Sequence, residues 1–146
     1  MEIKKVGLAC DHAGFEYKER IKTMLQTQGY EVQDFGTYST ESCDYPDFAH
    51  KLAIAVEQKK VDIGVSLCGS ANGINITANK HQGVRSAICW KEEIAVLARQ
   101  HNDANICSMP ARFISFDEAI KIVSAFFNTD FEGGRHQKRI DKIPVK

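Results

Sequence analysis

The 146-residue sequence predicts one α/β domain spanning 1–146: a three-layer α/β/α sandwich around a five-stranded parallel sheet, doubly wound, with a C-terminal arm at 128–146. Apolar runs of strand length alternate with longer amphipathic stretches, as expected of parallel strands covered by helices on both faces. The length suits a single core. No repeat, heptad or low-complexity segment breaks the alternation.

Five strand–helix units follow in order. A strand at 5–10 leads into a helix at 14–28, where Gly29 suits a left-handed cap. A strand at 31–35 precedes a helix at 46–58, with Pro46 in its first turn. Strands at 62–67, 84–89 and 104–108 precede helices at 71–79, 91–100 and 115–126. In the last helix Ser115 and Glu118 have capping-box spacing, and Ala119, Ile122, Val123 and Phe126 form the apolar stripe. The expected strand order is 2-1-3-4-5, a Rossmann-like arrangement whose ligand crevice opens beyond the carboxyl ends of the first and third strands. The arm is read as ordered because Arg135, Arg139 and Ile140 keep helical spacing; a frayed terminus is the alternative.

Acidic and basic residues balance at 19 each, so nothing steers the chain toward nucleic acid or an anionic membrane. The N-terminal apolar run is too short for a signal peptide, and no stretch approaches the ~20 apolar residues of a membrane helix, so a cytoplasmic protein is expected. Five cysteines without a CxxC pair suggest reduced thiols rather than disulfides or a zinc knuckle.

Asp11 and His12 end the first strand, and the run CGSANG, Cys68 to Gly73, ends the third, so the two motifs are expected to be neighbours. Cys68 sits where strand passes to helix, and helix-terminal amides can activate a thiol whose free pKa is ~8.5. A structural role is the other reading, accepted here for Cys10, Cys89 and Cys107. Gly69, Ser70, Ala71, Asn72 and Gly73 can turn backbone amides toward one oxyanion. There is no Walker A loop and no GxGxxG, so no nucleotide cofactor is expected, and no ligand spacing suggests a metal.

His101, beside Asn102 and Asp103, offers an imidazole suited to proton transfer, with a dipole-stabilising C-terminal histidine equally open on position. His50 and His81 are read as surface residues. Arg135 and Arg139, four apart, share one helical face and can grip phosphate, although a solvated basic face is favoured on position alone. Arg112 is a further candidate of this kind.

The segments GLACDHAGF, SCDYPDFA, CGSANGINITANK, LARQHNDAN and EGGRHQKRI together resemble the type B ribose-5-phosphate isomerases, a family shared with the subunits of galactose-6-phosphate isomerase. The resemblance implies a metal-free, cofactor-free aldose–ketose isomerase of the pentose phosphate pathway, working through an enediolate. It implies Cys68 as the base between C2 and C1, amides of Gly69 to Gly73 on the oxyanion, and His101 in ring opening. Asp11, His12, Tyr45 and Asn102 would orient hydroxyls, and Arg112, Arg135 and Arg139 would hold the phosphate. Two departures stand out. Ala71 occupies a position where the family usually has glycine, and would be strained at positive φ. Ile74 replaces the glutamate base of another branch, which leaves Cys68 in that role.

A hexose 6-phosphate, allose or galactose 6-phosphate, is the alternative substrate. A catalytically silent sugar-phosphate-binding module and a flavodoxin-like carrier are weaker readings. Topology adds one expectation. Cys68 leaves the carboxyl end of its strand whereas His101 enters the amino end of the fifth, so the site should be shared within a homodimer, with a tetramer as the larger assembly.

Overall fold

The computed structural model describes residues 1–146. In chain order the elements are β1 (Lys5–Cys10), a 3-10 turn (His12–Gly14), α1 (Phe15–Thr27), β2 (Glu31–Asp34), α2 (Tyr45–Glu57), β3 (Ile63–Cys68), α3 (Asn72–Ala78), β4 (Ser86–Ile88), α4 (Glu92–Asn102), β5 (Ile106–Pro110), α5 (Phe116–Phe127) and α6 (Arg135–Ile140). Every strand pairing is parallel. On one side of the sheet Ile21 and Leu25 of α1, Ala95 and Ala98 of α4, and Ile122, Val123 and Phe126 of α5 fill the core. On the other, Leu52, Ala53 and Val56 of α2 pack with Ala78 of α3.

The sheet order is β2-β1-β3-β5-β4, which corrects the expected 2-1-3-4-5. β5 is buried along its whole length, whereas β4 is three residues long with Ala87 and Ile88 only half-buried. The more apolar strand therefore takes the inner place, and a hydroxyl row fixes it there. Ser108 Oγ of β5 lies 2.6 Å from Ser66 Oγ of β3 and 2.9 Å from Ser86 Oγ of β4. The reversal between β1 and β3 is retained, so the crevice stays where the sequence places it.

Local causes are visible at the boundaries. Gly29 takes φ +93° after α1. Ser115 Oγ accepts from the Glu118 amide at 3.1 Å while Glu118 Oε1 accepts from the Ser115 amide at 3.0 Å, closing the capping box of α5. A Cβ on Gly7 would come within 2.6 Å of Leu52 Cδ1, so the bare strand lets α2 settle close to the sheet and aim its N-terminal Tyr45 at the crevice. The arm is ordered: the Glu132 amide donates to Gln100 O at 3.1 Å, and His136 and Ile140 of α6 are buried. No helix is long and apolar enough to cross a membrane.

Candidate active site

Beyond the carboxyl ends of β1 and β3 the chain gathers one polar cluster. Asp11 Oδ1 accepts from the amides of Ala13 at 2.9 Å and Gly14 at 3.1 Å, which fixes the carboxylate and leaves Oδ2 for a ligand. The Asp11 amide donates to Leu67 O at 3.2 Å, tying this turn to β3. His12 Nδ1 accepts from the Cys43 amide at 3.3 Å, so Nε2–H is the ring's remaining donor. Cys68 ends β3 at 5% exposure, packed beside Ala49 and Ile74. Because Ile74 is itself buried, the position after Gly73 supplies packing against the thiol, not a carboxylate.

The loop after Cys68 is braced from β5: Ala111 and Arg112 amides donate to the carbonyls of Cys68 and Gly69 at 2.9 and 3.1 Å. The Arg112 side chain lies against Gly69, and any Cβ on Gly73 would run into the Tyr45 ring, so both glycines admit a neighbour that a side chain would displace. Ser70 Oγ accepts from the Asn72 amide at 3.3 Å. Residues Asn72 to Ile74 open α3, where amides have no carbonyl partner within the helix. Ala71 adopts φ +68°, ψ −13°, the left-handed region, at a cost of about 1–2 kcal/mol for an L side chain.

A second cluster forms at the amino edge of the sheet. His101 and Asn102 lie in the last turn of α4, which ends on Asp103 at φ +45°. The His101 ring stacks on His136 of α6, with centroids 4.4 Å apart and planes 16° apart. Glu132 Oε2 lies 3.5 Å from His136 Nε2, which is buried and has no hydrogen bond. Burial, reinforced by the charges of His101, Arg135 and Arg139, holds the His136 imidazole below its ordinary pKa, while Glu132 pulls the other way. Arg135 and Arg139 are exposed on the outer face of α6.

The structure thus brings together Asp11, His12, Tyr45, Cys68, Gly69, Ser70, Ala71, Asn72, Gly73 and Arg112, and separately His101, Asn102, Arg135 and Arg139. Arg112 does not join the other two arginines. Cys68 pairs with Pro110 and Gly64 with Ile106; that four-residue span is ~13 Å, and His101 lies beyond its far end. Two clefts of the chain are not lined by Cys68. One of about 300 Å3 opens among Met1, Asp62, Arg85 and Asp103, another of about 470 Å3 between α1 and α5.

Three contacts are not legible from sequence spacing: Cys43 on His12, Glu132 and His136 against His101, and His50 Nδ1 only 2.7 Å from His81 Nε2. The last joins the two histidines read from sequence as surface residues. Against the expectation of no ligand cluster, one atom each from His101, Glu132 and His136 fall within 4.8 Å of one another. The positive charges of Arg135 and Arg139 beside this group oppose a cation there.

The Ribose/Galactose Isomerase family model matches residues 6–143. Ribose-5-phosphate isomerase B of Escherichia coli is 43% identical over 141 residues, covering 97% of this chain and 95% of that protein. A ribose 5-phosphate isomerase structure from Thermotoga maritima superposes with TM-score 0.95 at 46% identity, covering 99% of each chain. The ribose-5-phosphate isomerase B structure from Mycoplasma genitalium with bound ribulose-5-phosphate gives TM-score 0.92 at 42% identity, over 95% of this chain and 93% of that one. With motif residues at the crevice of the same fold and identity running almost end to end, the chain belongs to the ribose/galactose isomerase family.

Proposed function

We propose that the protein interconverts ribose 5-phosphate and ribulose 5-phosphate. The observation that carries this is Cys68 at the end of β3 beside the Gly69 to Gly73 turn, in a chain similar over nearly its full length to isomerases, one of them solved with ribulose-5-phosphate. The Cys68 thiolate takes the proton from C2 of the open-chain aldose. The C2–H electrons form the C1=C2 bond while the carbonyl π electrons move onto O1, and loop amides stabilise that oxyanion. After a proton passes between O2 and O1, the thiol returns its proton to C1 and the ketose results. His101 moves the proton that opens the furanose ring, Asp11, His12, Tyr45 and Asn102 orient hydroxyls, and Arg112, Arg135 and Arg139 hold the phosphate. None of these steps requires a cofactor.

One chain holds its two clusters on opposite edges of the sheet, so a second copy supplies His101, Asn102 and the arm arginines to the Cys68 of its partner. The working unit is a homodimer in the cytoplasm. Replacing Cys68 with alanine should lower kcat by about 10²–10⁴-fold, the usual contribution of a general base, with phosphate-ligand affinity retained. Near-normal turnover would remove the thiol from the mechanism. The family's description also names galactose, so kcat/KM should be compared on ribose 5-phosphate, allose 6-phosphate and galactose 6-phosphate; a preference for a hexose would reassign the substrate.

A further inference from the structure

Away from both clusters, three side chains form a hydrogen-bonded chain across the face covered by α2 and α3. Glu57, at the end of α2, accepts from the Gly83 amide at 2.8 Å through Oε2 and faces His81 Nδ1 at 3.0 Å through Oε1. His81 Nε2 in turn lies 2.7 Å from Nδ1 of His50, in the middle of α2. The carboxylate accepts only, so His81 donates its Nδ1 proton to it and turns the Nε2 lone pair toward His50. The Gly83 amide first, and His81 next, hold the Glu57 carboxyl below its ordinary pKa, which keeps it an acceptor.

The two rings stand 60° apart with centroids at 5.0 Å, so their facing nitrogens converge instead of running parallel as in the His101–His136 stack. Two imidazole nitrogens bound to one ion at ~2.0–2.1 Å lie roughly 3 Å apart. Exposed His50 reaches that separation by a small ring movement. A carboxylate behind one imidazole is the usual outer support of a metal-bound histidine, setting its tautomer and raising its basicity.

We propose that His50 Nδ1 and His81 Nε2 form a divalent transition-metal site, with Glu57 as its outer-shell positioning residue and water completing the coordination. Imidazole nitrogen favours late first-row ions, Ni2+, Cu2+ or Zn2+, over Mg2+ or Ca2+. As the ion arrives, the proton that His50 Nδ1 shares with His81 passes through solvent to Nε2 of the same His50 ring, so that both histidines bind as neutral imidazoles. The ion then ties α2, which begins at Tyr45, to the turn that follows α3, which begins at Asn72, and so stiffens the two helices bordering the crevice. It touches no group assigned to the reaction, so the inference stands or falls independently of the isomerase reading.

Calorimetric titration of the whole protein with NiCl2 tests this. Wild type should take up one ion that His50→Ala and His81→Ala each lose, while Glu57→Gln retains it at about 10- to 100-fold weaker affinity. Ni2+ should raise the Tm of wild type and leave that of His50→Ala unchanged. Metal-free turnover of His50→Ala should equal that of wild type, which shows that variant to be folded. Binding unchanged in both histidine variants, or abolished instead by His136→Ala, overturns the proposal.

Discussion

Burial pushes the Cys10 thiol up to about 12, and burial together with neighbouring Cys89 pushes Cys107 well above its ordinary value. Both are core residues without a thiolate to offer near neutrality. Cys68 lies at the crevice edge, and Cys43, half-buried, has its sulfur 3.9 Å from His12 Nδ1. Iodoacetamide at neutral pH should therefore modify Cys43 and Cys68 while sparing Cys10 and Cys107, and a sugar phosphate should protect activity. Because Cys43 is a second thiol near the site, the decisive protein is Cys43→Ser: continued inactivation assigns the effect to Cys68, and resistance would assign it to Cys43. The places of Asp11, His12 and Cys68 at the crevice are legible because each sits at a strand end inside a contiguous motif, whereas Tyr45 enters only through the family resemblance. Cys43 is not legible, since its role depends on a contact made 31 residues away, and the stack of His136 on His101 is likewise created by folding alone.

Among the elements, every strand and helix lies close to where periodicity puts it, because each alternation of apolar and polar residues is local. Strand order is not local. Placing β5 between β3 and β4 depends on which strand buries more surface and on three hydroxyls meeting across the sheet, and Ser66, Ser86 and Ser108 each look unremarkable in their own segments. Ser108 is fully buried and is the common partner of the other two. Ser108→Ala leaves Ser66 and Ser86 without it and should cost about 1–3 kcal/mol in urea unfolding, the penalty of an unpaired buried polar group. A loss below about 0.5 kcal/mol would mean that the row adds nothing to the strand order it accompanies.

At the scale of the whole molecule, acid stability turns on Lys18, 0% exposed, whose Nζ lies 2.7 and 2.8 Å from the two Asp34 oxygens. Burial raises the Asp34 carboxyl, but hydrogen bonds from Lys18, the Gly36 amide and Lys22 more than offset it and hold the group below its ordinary 3.8. A carboxylate depressed on folding contributes stability that is fully present above its unfolded pKa and lost as pH falls through the folded one. Asp34→Asn, which leaves buried Lys18 only the longer 3.5 Å contact to Glu19 Oε2 as counter-charge, should cost about 3–5 kcal/mol at pH 7, and the gap from wild type should narrow below pH ~4. A gap that is constant with pH would show that the charge pair is not its source. The two clusters at opposite sheet edges set a second whole-molecule test. Cys68→Ala and His101→Ala proteins, each inactive, should regain activity when dissociated and reassembled together, since a mixed pair holds one intact site; failure with mixed pairs present would place both residues in the same subunit.

If, as proposed, two chains share each site, the separation of Cys68 from His101 makes the protein's own concentration a term in its rate law. Where chains are mostly paired, velocity rises in proportion to protein; on dilution below the dimer dissociation constant it should fall as the square, because each shared site requires two chains to meet. A bound sugar phosphate, gripped from one side by the thiol loop and from the other by the arm, would draw the chains together and shift that crossover to lower concentration.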